Sequence, residues 1–461
     1  MRPQRILLLF SILLMMAGLP GRDAVAVSQE QKTMVLSLED AVRVGMQRNR
    51  SLEIARLDRQ MAGQKVRESW AEVLPHVSTG LIYTRAIKPA VLFLPGSIFG
   101  KPELGTQAIS ISQDNSATAS VNLSQNIFKL SAIAGIRAAS LVRKISDESY
   151  RQTNAEVVTS IRRAYYDALI TSEKLRLVEQ SIARWEAARK DTGALFRQGV
   201  AADIDTLKAY LSVENLKPEL IRARSDVSIS ATRLKSVMGV DQETGITLSD
   251  SLLFRESMFP KDIGTAYAEA LEKRPDVRSL TFQFAAEGEK VTAARSEGLP
   301  TLGAFGQLQA QTQFNDGTSL SKTTWPVSSS VGLQLSVPIF SGFATSARIE
   351  EAKISRIQTG TRLEDLKAQV RAEVEVRLAN LAESRRRIEV QSKTVSVAER
   401  SYRITRLRLR EGVGSRLELT DAELQLNTSK INYLQAVYDY LVASAELERS
   451  LGRISPAESG S

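Results

Sequence analysis

Residues 410–422 read REGVGSRLELTDA, and this stretch decides the fold. A long helical pattern runs into it and should end at Gly412 and Gly414, because glycine adopts the left-handed conformation of a helix cap at little steric cost. Ser415 supplies the hydroxyl that an N-cap needs, so a new helix is expected from Leu417 onward. The stretch therefore predicts the tip of a long helical hairpin.

A related tip lies 213 residues earlier in the chain. Matching pairs recur in the same order along the two halves: Gly199 with Gly412, Val200 with Val413, Asp205 with Glu418, 122–128 with 334–340, and Gly239 with Gly452. Such a series is typical of a doubled structure. The sequence therefore predicts an internal two-fold repeat, with halves at 27–240 and 241–452 and a tail at 453–461.

Each half combines two short helical patterns with a very long one and a returning one. The predicted helices cover about 37–48, 50–72, 131–195 and 204–238 in the first half, and 263–273, 276–297, 342–410 and 417–451 in the second. The hairpin tips fall at about 196–205 and 409–418. At 1.5 Å per residue the long helices would reach about 100 Å, far more than a globular core needs. Apolar residues at alternating spacings of three and four predict coiled-coil packing along them.

Between the short and long helices of each half, two segments alternate apolar and polar residues. They predict strands at about 76–88, 116–128, 300–314 and 326–340. The polar face carries uncharged amides and hydroxyls, and the length suits a strand that crosses a bilayer. The sheet of a soluble protein would show the same alternation. Segment 86–116 is rich in proline and glycine, which predicts a long loop.

The N-terminus has the features of a secretory signal, predicted at 1–26. Arg2 and Arg5 precede an apolar run, and Ala24-Val25-Ala26 suits cleavage. The run is about 14 residues long, shorter than the ~20 that span a bilayer, so cleavage is favoured over an uncleaved anchor. The 461-residue chain has no cysteine and one histidine, which excludes a lipid-modified N-terminus, disulfides and Cys/His zinc sites. The net charge of +9 is spread along the chain, and export argues against nucleic acid as a partner.

Four strands cannot close a barrel, because about eight is the smallest number that does. Open sheet edges cannot face lipid. If the strands enter a membrane, the protein must therefore be an oligomer, with eight strands in a dimer or twelve in a trimer.

Taken together, the chain resembles the TolC-type outer membrane efflux proteins. The motifs that carry the resemblance are the L-x-x-A-like openings at Leu38 and Ile263, Arg274-Pro275-Asp276, 337–342 (VPIFSG) and 413–416 (VGSR). The resemblance implies a mainly α fold with a membrane β-barrel: a homotrimer with a twelve-stranded barrel, four strands per chain, in contact with the lipid of a Gram-negative outer membrane. A coiled-coil α-barrel would continue it into the periplasm. The protein would be the exit duct of a tripartite efflux or type I secretion system, with a periplasmic adaptor and an inner-membrane transporter as partners.

The resemblance also implies a periplasmic gate at the tips. Glu418 and Asp421 match the family's gate carboxylates, Arg416 matches its gate arginine, and Asp205 matches an acidic partner on the neighbouring hairpin. We therefore predict an Arg416–Asp205 salt bridge that holds the tip closed, and rings of three carboxylates, which favour cations. Alternatively, these acids only stabilise helix N-termini, at about 0.3–1 kcal/mol each.

The run into the second tip is strongly basic, with nine Lys or Arg and two Glu between residues 385 and 410. A docking surface for an adaptor hairpin is one interpretation, and it would include Arg403, Arg406 and the tip-turn residues Gly199, Val200, Gly412, Val413 and Gly414. A solvated coiled-coil face is the other interpretation.

No Ser/His/Asp set, phosphate-binding loop or metal cluster is apparent, so we predict neither an enzyme nor a cofactor or metal site. An alternative function is that of an exported periplasmic coiled-coil adaptor or scaffold, whose strands form a soluble domain.

Overall fold

The computed structural model describes residues 34–453, apart from 89, 101, 102, 104, 257 and 261. The predicted signal peptide, 1–26, and nearly all of the predicted tail lie outside the described residues. Within the described residues, no helix has both the length and the apolar character that crossing a membrane requires. The mainly helical character predicted from the sequence is confirmed.

The first half leads from two short helices through strands into a long helical hairpin. Its elements are β1 (Met34–Leu36), α1 (Leu38–Arg48), α2 (Arg50–Ala71), β2 (His76–Arg85), β3 (Val91–Pro95), β4 (Thr106–Ser110), β5 (Asn115–Phe128), α3 (Leu130–Arg197), α4 (Asp203–Glu214) and α5 (Lys217–Met238). Local capping explains the first boundaries. Ser37 forms a capping box with Asp40 at the start of α1, and the Asn49 side chain accepts from the first backbone amides of α2.

The second half has a similar element order. It contains β6 (Ile246–Leu248), α6 (Ile263–Lys273), α7 (Pro275–Ser296), β7 (Thr301–Phe314), β8 (Val327–Ser336), α8 (Ala344–Arg410) and α9 (Arg416–Ser450). Asp262 caps α6 by accepting from the Thr265 amide at 2.9 Å. Pro275 begins α7 at a position where its missing N–H costs nothing.

The four long strands form one antiparallel sheet in the order β2-β5-β7-β8. Because neighbouring side chains of a strand point to opposite faces, the register sorts the residues by polarity. Facing pairs on the apolar side include Leu302 with Leu335, Ala304 with Leu333 and Leu123 with Val77, whereas those on the polar side include Gln307 with Ser330, Gln309 with Ser328 and Asn122 with Ser78. Strands β2 and β8 are the two edges, and each has a single neighbour in this sheet.

The long helices form a wall one helix thick. Near the sheet, the helices pack in the order α2-α3-α7-α8; near the tips, α3 lies between α4/α5 and α9, and α9 packs on α8. The wall therefore has two outer edges. One is formed by α2 and α4/α5, and the other by α8.

The main apolar core lies where these two parts of the wall meet. Tyr165 of α3 is fully buried there, and its hydroxyl donates to the Leu36 carbonyl at 3.0 Å and to Asp250 Oδ2 at 2.8 Å. These bonds tie α3 to β1, which pairs in parallel with β6. Burial and the adjacent Asp250 carboxylate raise the pKa of Tyr165, so the phenol stays a neutral donor.

A largely buried arginine, with 13 % of its side chain exposed, joins the second set of helices. Arg274 donates to both carboxylate oxygens of Asp276, at 3.0 and 2.7 Å, to Glu373 at 2.7 Å and to the Ser450 carbonyl at 3.2 Å. Burial opposes the charge, but the hydrogen bonds and the two carboxylates together raise the pKa of Arg274. The arginine therefore connects α7, α8 and the end of α9.

The strand predicted at 76–88 ends at Arg85, and two further differences from the sequence prediction are explained by proline. The return helix predicted at 204–238 is two helices, α4 and α5, because the ring of Pro218 clashes with the carbonyl four residues earlier, at Glu214. The strand predicted at 326–340 ends at Ser336, because Pro338 has no N–H to donate to a sheet.

The segment 86–116, predicted as a long loop, contains a hairpin. Strands β3 and β4 pair antiparallel, with Leu92 opposite Ile109. Gly100 and Gly105, with φ of 71° and 59°, lie between the two strands. The proline and glycine content predicted a loop for the whole segment, whereas the apolar run at 91–94 forms a strand that pairs with β4.

Candidate functional site

The first tip is a glycine turn without a side-chain cap. Helix α3 ends at Arg197, and Gly199 takes φ 71°. The Val200 amide then donates to the Leu195 carbonyl at 3.0 Å, which satisfies the end of the helix. The Val200 side chain is 73 % exposed. The next helix starts behind Ala202, which makes no capping hydrogen bond.

The second tip has the same glycine turn, but it is followed by a capped helix. Gly412 takes φ 75°, and the Val413 amide donates to the Arg408 carbonyl at 3.0 Å. The Ser415 hydroxyl accepts from the Leu417 amide at 3.1 Å and caps α9, as the sequence predicted. Gly414 leaves no room for a side chain, since a Cβ there would lie 2.7 Å from the Leu409 nitrogen.

Arg416 joins the two tips, but not through the predicted ion pair. Its Nη1 donates to the Asp205 backbone carbonyl at 2.6 Å and to Thr192 Oγ1 at 3.2 Å. Among the described residues, no ion pair within 4.0 Å links Arg416 to the Asp205 carboxylate. The predicted salt bridge is therefore corrected to a charge-assisted bond to a carbonyl.

The physical reason for this correction is the position of Arg416 on the inner side of the second tip. The guanidinium is partly buried between α3 and α4, where main-chain oxygens are available, and its Nη2 has no hydrogen-bond partner among residues 34–453 that the structure describes. Burial lowers the pKa of Arg416, and the nearby charge of Asp205 offsets part of that effect. A partly desolvated cation with one free donor contributes less to closure than a complete bidentate ion pair.

The two candidate gate carboxylates have different surroundings. Glu418 Oε2 lies 3.3 Å from Arg408 Nη1, and this ion pair crosses the turn within the second tip. Asp421 is exposed, and no ion pair is recorded for it in the described part of the chain. Both side chains are exposed, and Glu418 has a cationic neighbour in Arg408, so Asp421 is the freer negative charge.

Arg403 and Arg406, the predicted docking residues, are both exposed on α8. In the described structure neither makes an ion pair within 4.0 Å. Their positive charge is therefore available to a partner.

A buried polar cluster, which was not predicted from the sequence, lies just above the tips. Glu423 of α9 is 3 % exposed and accepts from Arg184 Nε of α3 at 2.8 Å. Arg184 Nη2 also donates to Asn427 at 2.9 Å, and Ser181 donates to Glu423 at 3.2 Å. The sequence contains an indication of this cluster, because Glu423 interrupts the apolar stripe of α9. A charge that is buried there requires a partner. This cluster fastens the two hairpins to each other.

The family model of the outer membrane efflux protein matches residues 45–240 and 266–453. Alkaline protease secretion protein AprF of Pseudomonas aeruginosa is 24 % identical over 345 residues, which cover 75 % of this chain and 71 % of AprF. Outer membrane protein TolC of Escherichia coli K12 is 20 % identical over 418 residues, which cover 88 % of this chain and 80 % of TolC.

Solved structures have the same fold. The crystal structure of CusC superposes with a TM-score of 0.72 at 16 % identity, covering 95 % of this chain and 99 % of CusC. VceC of Vibrio cholerae gives 0.71 at 14 % identity, covering 90 % and 96 %. The family model matches most of both halves, and the long helical hairpins and the four-stranded sheet agree with it. The chain therefore belongs to the outer membrane efflux protein family.

Proposed function

We propose that this protein is the exit duct of a tripartite efflux or type I secretion system, and that it has no catalytic role. As a member of its family it lies in the outer membrane of a Gram-negative cell. The observation that carries the proposal is a four-stranded sheet with two open edges, continued by helices of 68 and 67 residues. Each helix is about 100 Å long, enough to carry a channel well beyond the membrane.

The proposed assembly is a homotrimer with a twelve-stranded barrel. Open edges at β2 and β8 cannot face lipid, so each edge must pair with another copy. A head-to-tail contact repeated by rotation closes into a ring, and three copies bring the strand number to twelve. The amide and hydroxyl face would then line the lumen. The two halves of each chain, 27–240 and 241–452, would act as an internal repeat, each contributing two strands and one hairpin.

The test of this function is fractionation followed by electrophoresis without boiling. A duct should stay with outer membranes after a urea wash and migrate as a trimer. The alternative, an exported periplasmic adaptor or scaffold, predicts a protein that urea or high salt releases. Release of the protein as a monomer would contradict its proposed function as an exit duct.

The tips are proposed as the periplasmic gate, with Arg416 holding the hairpins together through the Asp205 carbonyl. Rings of Glu418 and Asp421 would give the mouth its preference for cations. Replacing both acids by alanine should lower cation preference in single-channel recordings. Arg416→Ala should instead raise conductance, because it removes the bonds to Asp205 and Thr192. Unchanged recordings for all three changes would exclude a gate at this level.

The exposed pair Arg403 and Arg406, with the turns at Gly199 and Gly412, is proposed as the docking surface for the periplasmic adaptor, which connects the duct to an inner-membrane transporter. Charge reversal of both arginines should abolish cross-linking to an adaptor and leave the trimer intact. Matched reversal of Arg386, also exposed on α8 and about 36 Å from the turn by helical rise, should have little effect. Equal loss in both variants would reject this docking site.

A further inference from the structure

The two edges of the helical wall carry exposed charges of opposite sign. On α8, Lys393 and Arg400 are exposed and seven residues apart; on α5, Glu219 and Asp226 are also exposed and seven residues apart. Among the described residues, none of these four groups forms an ion pair within 4.0 Å. The same spacing on both edges means that two pairs could form at once between antiparallel helices.

Exposed apolar residues accompany these charges. On α8, Val390, Val397 and Ile404 recur every seven residues and are 60 %, 67 % and 50 % exposed. On α5, Ile221 and Ile229 are 70 % and 56 % exposed. A heptad of apolar residues flanked by charges is the pattern of a coiled-coil contact. Within the described chain, α8 packs on α9 through a different face, where Ile388 and Ala398 are buried. The exposed apolar row at Val390, Val397 and Ile404 therefore needs a second helix to cover it.

The height of a residue is defined here as its position along the long axis of the helical wall, and contacts between neighbouring helices allow the heights of these groups to be compared. Three contacts link the neighbouring helices in turn: Glu399 with Lys430 at 3.0 Å, Asn427 with Arg184 at 2.9 Å, and Glu179 with Arg224 at 3.8 Å. Counting residues along the antiparallel helices between these contacts puts Glu399 of α8 level with about residue 222 of α5. Arg400 then lies within about two residues of the level of Glu219, and Lys393 within about two residues of Asp226, or ~3 Å along a helix.

We propose that Lys393 and Arg400 of one copy pair with Asp226 and Glu219 of the next, and that this ladder of ion pairs sets the register of the assembled α-barrel. The inference rests on the proposed trimer. Rotation about an axis parallel to the helices keeps every residue at its own height, so groups at equal heights on the two edges of one chain meet between two copies. The occupant of this face is therefore a second copy of the chain.

The ladder also divides the basic residues of α8 into two sets. At 100° per residue, Arg403 and Arg406 are turned from Arg400 by about 60° and about 120°, away from the edge. They remain free for the adaptor when Lys393 and Arg400 are occupied. The basic run is thus two surfaces with different partners.

Disulfide trapping tests the register directly, because the chain has no cysteine of its own. A chain carrying Lys393→Cys and Asp226→Cys should form covalent trimers on mild oxidation. The two positions lie on opposite edges of one chain, so a bond within the chain is not possible. The matched control joins Lys393→Cys to Glu214→Cys, on the same edges but 12 residues, or about 18 Å, from Asp226, and should not cross-link.

Charge exchange tests the interaction itself. Lys393→Glu with Arg400→Glu should weaken the trimer, by up to about fivefold per pair at each interface, the strength of surface ion pairs. Adding Asp226→Lys and Glu219→Lys should restore it, whereas Arg403→Glu with Arg406→Glu should leave the trimer unchanged. If the unmodified protein is a trimer but neither trapping nor restoration occurs, the ladder is wrong and the duct stands. If the unmodified protein is monomeric, the proposed trimer itself fails.

Discussion

The two hairpin tips have the same turn but differ in how firmly the returning helix is held. At both tips a glycine with φ above 70° ends a helix of almost 70 residues. After Gly412, Ser415 caps a single continuous helix of 35 residues. After Gly199, an uncapped helix of 12 residues begins and ends before Pro218. A shared turn therefore does not imply shared rigidity.

The difference assigns a role to each tip. The second tip carries its own ion pair, Arg408–Glu418, and extends Arg416 to the first tip. The first tip contributes backbone, the Asp205 carbonyl, and no side-chain cap. We infer that the second tip is the rigid part of the proposed gate, and that the first tip is the compliant part that it holds.

The largest expected effect comes from separating the two hairpins above their tips. Arg184→Ala would leave the Glu423 carboxylate buried without its cation, at a cost of about 3 kcal/mol in the free energy of unfolding. Thermal unfolding followed by circular dichroism measures this cost. Arg189→Ala, also on α3, removes an exposed arginine stacked 5.7 Å from the Tyr210 ring of α4, and it should cost less than about 1 kcal/mol in the free energy of unfolding. Equal decreases in the free energy of unfolding for the two variants would mean that the cluster does not join the hairpins.

A smaller effect should distinguish the glycines of the second turn. Gly414→Ala places a Cβ 2.7 Å from the Leu409 nitrogen and 2.9 Å from the Arg408 carbonyl carbon, so the backbone must move. This substitution should lower the free energy of unfolding by about 1–3 kcal/mol. Gly412→Ala meets no atom within 4 Å and bears only the cost of a left-handed alanine, about 1 kcal/mol. Gly199→Ala should lower the free energy of unfolding by the same amount as Gly412→Ala.

Amide hydrogen exchange at residues 408–416 and 195–203 would measure the effects of these glycine substitutions locally. Greater loss of protection in Gly412→Ala than in Gly414→Ala would show that backbone conformation, and not close packing, limits the second turn.

The smallest effect concerns the caps, and its sign should differ between the tips. Ser415→Ala removes the bond to the Leu417 amide and should destabilise the start of α9 by about 1 kcal/mol. Ala202→Ser offers α4 the cap that it lacks and should stabilise the first tip by about 0.5–1 kcal/mol. Opposite changes in hydrogen exchange at the two tips would support the difference in rigidity. A loss of protection in Ala202→Ser would contradict it.

Much of the architecture could be predicted from local chemistry. The turn glycines, the cap at Ser415 and the alternation along β7 and β8 depend on neighbouring residues, so one stretch of sequence carries the whole signal. The effects of Pro218 and Pro338 are also local, because a proline lacks an N–H and restricts the backbone of its own segment. Four strands in one sheet also follow from the pattern, although their order does not.

By itself, then, the sequence determined the helices, the strands and the two tips, because backbone conformation responds to residues a few positions away. Only the tertiary structure decided which groups meet. Arg416 binds the Asp205 carbonyl and not its carboxylate, and Glu423 is buried against Arg184, 239 residues away. Such partners depend on how two helices about 100 Å long lie side by side, and a shift of one residue turns a side chain by 100°. Residue type alone cannot specify that relation.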